Sequence, residues 1–169
     1  PRGAGGAAAP AAPPPVLARD SDPAGPMLLE GVVLDERDQP VAGAEVWVSS
    51  APPRRMQTEA DGTFAFDKLL GRTYAVGARA GDLVGGPVST RAAADAEPVV
   101  IRLRPGALVK VTVTDAATTK PVAGAAVTLA DALESSAVTD GSGVAVIHGV
   151  GAGWIALTVA APGFAPGAG

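Results

Sequence analysis

The sequence has no cysteine, no asparagine and a single histidine, and only 4% of its residues are aromatic. Without cysteine no disulfide can form, and no thiolate can attack a substrate or hold a metal. This leaves the compartment open, because a domain near 80 residues can hold by its core alone. Without asparagine there is no N-linked glycan, and one common hairpin-turn residue is missing. No run of 18 apolar residues exists, so no helix spans a membrane, and no signal peptide is visible. The formal net charge is −4, and no basic cluster is larger than Arg54-Arg55. Binding to nucleic acid needs a positive footprint against phosphates, so that class of partner is excluded. Arginine outnumbers lysine ten to three amid heavy Ala, Gly and Pro, the usage of a GC-rich bacterial genome.

What is present is a repeat. Pro40-Val-Ala-Gly-Ala44 returns letter for letter as Pro121-Val-Ala-Gly-Ala125, 81 residues later. At the same offset Val46 matches Val127, Thr58 matches Thr139 and Gly62 matches Gly143, while Tyr74 falls on Ile155 and Val76 on Leu157. A period of about 80 residues is too long for one solenoid turn and suits one small domain. The chain is therefore expected to hold two tandem modules, at 28–105 and 106–169, after an Ala/Pro/Gly-rich segment at 1–27. That segment has too little bulky apolar surface to offset its ordering entropy, and reads as a disordered linker.

Short apolar-alternating runs broken by Gly or Pro about every ten residues indicate an all-β sandwich or barrel. In the first module Ala44, Val46 and Val48 share one face, Phe64 and Phe66 another, and so do Tyr74, Val76 and Ala78. Asp61-Gly62 is a two-residue hairpin signal. Val99, Ile101 and Leu103 alternate in the last strand of this copy. The second copy runs through the same order but has no counterpart of that strand, so either it is incomplete or it borrows a strand. The expected core is Val33, Val46, Val48, Phe64, Phe66, Tyr74 and Val76 in the first module. In the second it is Val111, Val113, Val127, Leu129, Ile147, Leu157 and Val159. Only Pro105-Gly106 joins the copies, too short for a flexible tether. The chain opens on Pro1 rather than Met, and the expectation is that its start, with any signal or anchor, lies upstream.

Together, Gly31-Val-Val-Leu-Asp35, Pro40-Val-Ala-Gly-Ala44, Thr58-x-x-Asp61-Gly62-x-Phe64-x-Phe66 and Gly71-x-x-Tyr74-x-Val76 resemble the carboxypeptidase regulatory-like domain. The second copy carries a degraded version that ends in Ala160-Ala-Pro-Gly-Phe164. The resemblance implies two tandem seven-stranded, prealbumin-like (Ig-like) β-sandwiches, the second lacking its last strand. It also implies an accessory or stalk role in secreted and surface bacterial proteins, without peptidase activity. Related collagen-adhesin B-type repeats cross-link themselves through a Lys–Asn isopeptide bond aided by an acidic residue. On alignment the lysine position falls on Val33 and Val113, and the acidic position falls near Ala78 and Val159. With no asparagine in the chain, no internal isopeptide bond is expected.

Few side chains suggest chemistry. His148 lacks the partners of a zinc site or a catalytic triad and is expected at a solvent-facing strand end. Asp35, Glu36, Asp38 and Asp61 lack the regular spacing of a calcium loop and fit turn chemistry. Arg54-Arg55 read as a solvated loop, and Trp154 as a cap on the open end of the second core. Trp47 is the candidate contact residue. By alternation it points away from the core, where an indole offers a platform to a sugar ring or a protein. The competing readings are cover by a folded-over linker or loop, and an inter-module contact.

No catalytic residue, cofactor or metal is expected, and no enzyme activity. The leading expectation is a non-catalytic spacer pair in an extracellular, periplasmic or cell-surface protein, with neighbouring domains of the same polypeptide as partners. The alternative is a carbohydrate- or protein-binding module using the sheet around Trp47, accessory to a secreted hydrolase encoded outside this sequence.

Overall fold

Alternation with a period of two dictates strands, and strands are what form. The computed structural model describes residues 21–130, 133, 135–151, 155–164 and 167–168, and among them there is no helix. The first module contains β1 (Met27–Leu34), β2 (Glu45–Val48), β3 (Arg54–Gln57), β4 (Thr63–Leu69), β5 (Thr73–Ala80), β6 (Leu83–Arg91) and β7 (Val99–Arg102). A two-residue strand, β8 (Arg104–Pro105), leads into the second module. There follow β9 (Ala107–Thr112), β10 (Ala126–Leu129), β11 (Ser136–Val138), β12 (Val144–Val150), β13 (Leu157–Ala160) and β14 (Gly167–Ala168).

Each module is a sandwich of two sheets. In the first, the order β4-β1-β7 faces the order β3-β2-β5-β6-β8. In the second, β12-β9 faces β11-β10-β13-β14, which repeats the pairing scheme of the first. β1 runs antiparallel to β4 and parallel to β7, with Val33 opposite Ile101. β9 runs antiparallel to β12, and among the described residues no strand lies on its other side.

The seven core residues expected in the first module are all buried, as are Ile101 and Leu103. Phe64 and Phe66 meet edge to face, 6.0 Å between ring centres. The second core differs from expectation. Val127, Leu129 and Ile147 are buried with Ala145 and Val150, but Val111, Val113, Leu157 and Val159 are only half-buried. The reason is geometric. Val33 is covered from the side by Ile101 of β7, whereas Val113 has no neighbouring strand there among the described residues.

Three local expectations need correction. Asp61-Gly62 does not join paired strands: β3 and β4 belong to different sheets, so this turn carries the chain across the sandwich. Gly62 alone takes positive φ, at 76°, and a Cβ there would stand 2.9 Å from the carbonyl of Val33 and from Pro40. Arg54-Arg55 open β3 rather than forming a loop. Residues 22–27, which composition assigns to the linker, have defined places. Met27 opens β1, Gly25 N–H donates to the Lys68 carbonyl (3.0 Å), and Ala51 N–H donates to the Asp22 carboxylate (2.9 Å). Asp22 also pairs with Arg72. Residues 1–20 and Trp154 lie outside the described residues.

The repeated pentapeptide has a definite task. It takes the chain from β1 in one sheet to β2 in the other, and a buried threonine holds it there. Thr58 Oγ1 accepts Ala44 N–H (2.9 Å) and donates to the Val41 carbonyl (2.6 Å). Its backbone accepts Gly43 N–H (3.0 Å) and donates to the Ala44 carbonyl (2.9 Å). In the second module Thr139 makes the same four bonds, to Ala125 N–H (2.8 Å), the Val122 carbonyl (2.7 Å), Gly124 N–H (2.9 Å) and the Ala125 carbonyl (2.9 Å). Thr58→Val keeps the shape and removes the hydroxyl, leaving a buried donor and acceptor unpaired. The expected loss, measured by urea unfolding, is about 1–3 kcal/mol, with Thr58→Ser recovering most of it. Equal stability of the valine and wild-type proteins would rule out this role.

Candidate functional site

Trp47 sits in the middle of β2, between Arg55 of β3 and Gly77 of β5. Its indole lies against the backbone of Gly77, where a Cβ would come within 2.7 Å of the ring. The ring is thus seated by the absence of a side chain on the next strand and is left half-exposed on the outer face of the sheet. It is not among the residues that pack into the core. On the same face Glu45 and Arg79 form an ion pair (3.5 Å), and Arg79 Nη1 donates to Ser135 Oγ of the second module (2.6 Å). The inter-module contact therefore runs beside Trp47, through Arg79. Sequence reading did not single out Arg79 or Gly77. Their only advance signal is that they share Trp47's outward parity on a paired strand.

The other candidates fall elsewhere. Arg54 pairs with Asp67 (2.9 Å) and lies over the Phe66 ring. His148 is exposed on β12, and its Nδ1 is 3.9 Å from the Asp82 carboxylate of the first module. That places it at the junction of the modules, which its strand position did not reveal.

The acidic group is turn chemistry. Asp35 Oδ1 accepts the N–H groups of Arg37 (2.8 Å) and Gln39 (2.9 Å), while Asp61 Oδ1 accepts the hydroxyl (2.6 Å) and N–H (3.1 Å) of Thr63. Asp38 reaches Arg102 instead (2.9 Å). In the second module Asp115 and Asp140 cap equivalent turns. Among the described residues no three His, Asp or Glu side chains converge as a metal site would require.

A groove of about 580 Å³ lies along β1 and β4 of the first module, lined by Glu30, Met56, Glu59, Thr63, Phe64 and Pro98 among others. Its only hydroxyl, that of Thr63, is already bonded to Asp61. The ionisable side chains of this lining are Glu30 and Glu59.

Hydrogen bonds lower the carboxyl pKa values in these turns. The Asp140 carboxyl is held below the usual carboxylate range chiefly by the Ser142 hydroxyl, then by Val144 N–H. The Thr63 hydroxyl does the same for Asp61, and Thr118 N–H for Asp115.

The family model of the carboxypeptidase regulatory-like domain matches residues 29–104 and again 109–169. The chain belongs to this family and holds two copies of the domain in tandem. No curated protein matches it. Among solved structures it is similar to the Bacillus anthracis TIE protein (TM-score 0.39, 16% identity) over 79% of this chain and 28% of that one. It is also similar to a streptococcal ancillary pilin (TM-score 0.37, 13% identity) over 84% of this chain and 57% of that one. The chain thus spans less than two thirds of either protein. No helix among the described residues is long and apolar enough to cross a membrane.

The carboxylates yield a pH prediction. Their folded-state pKa values lie below the unfolded value of about 3.9, so their contribution to stability is complete above that pH. It is lost as pH falls through the lower folded-state values. Thermal unfolding should therefore hold its midpoint down to about pH 4 and drop below it. Asp140→Ala should lower the midpoint at neutral pH and flatten the acid drop, and identical acid slopes would show that Asp140 has no share.

Proposed function

We propose that this tandem pair is a non-catalytic structural spacer of a secreted or surface-anchored bacterial protein. It would hold neighbouring domains of the same polypeptide at a fixed separation, in an extracellular, periplasmic or cell-surface setting.

The observation that carries this reading is the joint. β8 pairs with β6 and β9 begins at Ala107, so Gly106 is the one residue between paired strands. Its N–H donates to the Asp82 carbonyl in the β5–β6 turn (2.8 Å). A Cβ on Gly106 would lie 2.7 Å from Gly149 Cα, and one on Gly149 would lie 2.9 Å from the Gly81 carbonyl. The two modules therefore meet backbone to backbone, with Arg79–Ser135 as a second fixed point. Such a joint leaves little room to bend, as a spacer requires. The family contributes modules that stand beside other domains.

Residual dipolar couplings test it. Both modules should share one alignment tensor, and Gly149→Val should split it into two of smaller magnitude. Independent tensors in the unaltered protein would end the spacer reading.

A second reading is favoured by the seat of Trp47. A half-exposed indole held flat on Gly77, next to the Glu45–Arg79 pair, offers one apolar face and adjacent polar groups to a sugar or protein. Binding on a glycan array that is lost with Trp47→Ala at unchanged thermal stability would support this reading. An array with no signal would remove the carbohydrate branch.

A further inference from the structure

The chain enters and leaves the first module along one pair of strands. β1 is the first strand of its sheet in chain order and β7 the last. The two lie side by side and parallel, from Gly31 opposite Val99 to Leu34 opposite Arg102. Leu103 N–H extends the pairing by donating to the Leu34 carbonyl (2.8 Å). At about 3.3 Å per residue, β1 sets Met27 and Leu34 about 23 Å apart, toward opposite ends of the module.

Both ends are fastened. Where the chain enters, Gly25 N–H donates to the Lys68 carbonyl (3.0 Å), and the Asp22 carboxylate accepts Ala51 N–H (2.9 Å) and pairs with Arg72. Where it leaves, β8 pairs with β6, and Gly106 N–H donates to the Asp82 carbonyl (2.8 Å).

Tension along the chain therefore has a defined path. It draws β1 back toward Met27 and β7 forward toward Leu103, so the strands are pulled past each other along their length. Bonds between parallel strands are evenly spaced along the pair, and in this direction they are loaded together. For β7 to slide they must break together, and Ile101 and Leu103, both fully buried, must leave the core in the same step. Two local features tighten the pair. Gly31 puts no side chain between the strands: a Cβ there would be 2.4 Å from the Val99 carbonyl. Arg102 Nε donates to the Asp38 carboxylate (2.9 Å), which ties the end of β7 to the turn after β1. The β1–β4 pair is different. It is antiparallel, with Met27 opposite Leu69, so drawing those two ends apart opens the ladder one bond at a time.

We propose that the first module is a tension-resisting link, in which the β1–β7 pair holds when the domains on either side are drawn apart. The use of this device rests on the spacer reading; its geometry does not. A spacer keeps its length under pull only if its modules stay folded, and parallel entry and exit strands oppose unfolding in that direction.

Single-molecule pulling tests it, and a chain without cysteine accepts thiol-linked handles at chosen sites. Handles on Ser21→Cys and Leu108→Cys, both at exposed positions, pull β1 against β7 and leave the second module outside the path of the force. Handles on Ser21→Cys and Gly71→Cys draw apart the neighbouring ends of β1 and β4. Gly71 is exposed, and a Cβ there meets nothing closer than 3.8 Å. Forced unfolding is governed by the unfolding rate, and the barrier differs between the two directions. At one loading rate the first pair of handles should need a several-fold higher force, and should release the span from Met27 to Leu103 in a single step. Equal forces in the two geometries, or release of that span in several steps, would overturn the proposal. The spacer reading would survive that result if both modules still shared one alignment tensor.

Discussion

The fold depends on a threonine hydroxyl. A sandwich forces the chain to pass from one sheet to the other, and the passage takes backbone polar groups away from water and from any ladder partner. An unpaired buried N–H or C=O costs about 1–3 kcal/mol, so each crossing needs its own solution. Here Thr58 and Thr139 supply it, each bonding both the N–H at the end of the Pro-Val-Ala-Gly-Ala stretch and the carbonyl near its start. Gly62 and Gly143 pass beneath, as close to Pro40 and Pro121 as backbone allows. The pentapeptide is therefore clamped between a hydroxyl and a glycine.

The same reliance on close backbone approach governs the junction of the modules. Gly106, Gly149 and Gly81 bring three stretches of main chain together, and a single methyl at either Gly106 or Gly149 would collide with backbone rather than with a yielding side chain. The close approach here depends on the lack of side chains. Arg79 adds a polar tie, joined on one side to Glu45 and on the other to Ser135. Through Glu45 and Arg79 the joint and the face carrying Trp47 share a surface, so a partner bound at Trp47 would also touch the region that sets the angle between modules.

Much of the first module was legible because its period-two pattern is clean: Val46 and Val48, Phe64 and Phe66, Tyr74 and Val76 all turn inward as alternation requires. Sheet membership was not legible. Asp61-Gly62 has the composition of a hairpin turn, but nothing local distinguishes a turn between paired strands from one that changes sheets. The roles of Thr58 and Thr139 were visible only as an unexplained match in the repeat, because a hydroxyl's partners are set by tertiary contact. For Trp47 alternation gave the outward direction, but its seat on Gly77 depends on which strands are neighbours. Asp22 could not be picked out of an Ala/Pro-rich segment, because its partners, Ala51 and Arg72, lie far along the chain.

A paired exchange adds to the looser packing of the second module's core. In the first module Phe64 fills the space over Gly31, where a Cβ would lie 2.4 Å from the phenyl ring. In the second, Ala145 stands where Phe64 stood, and Val111 where Gly31 stood. The valine on β9 returns part of the volume that the alanine on β12 gives up. The compensation is incomplete, because a large aromatic becomes a methyl while a glycine gains only an isopropyl group. The cost falls on β9, whose inward valines remain half-buried.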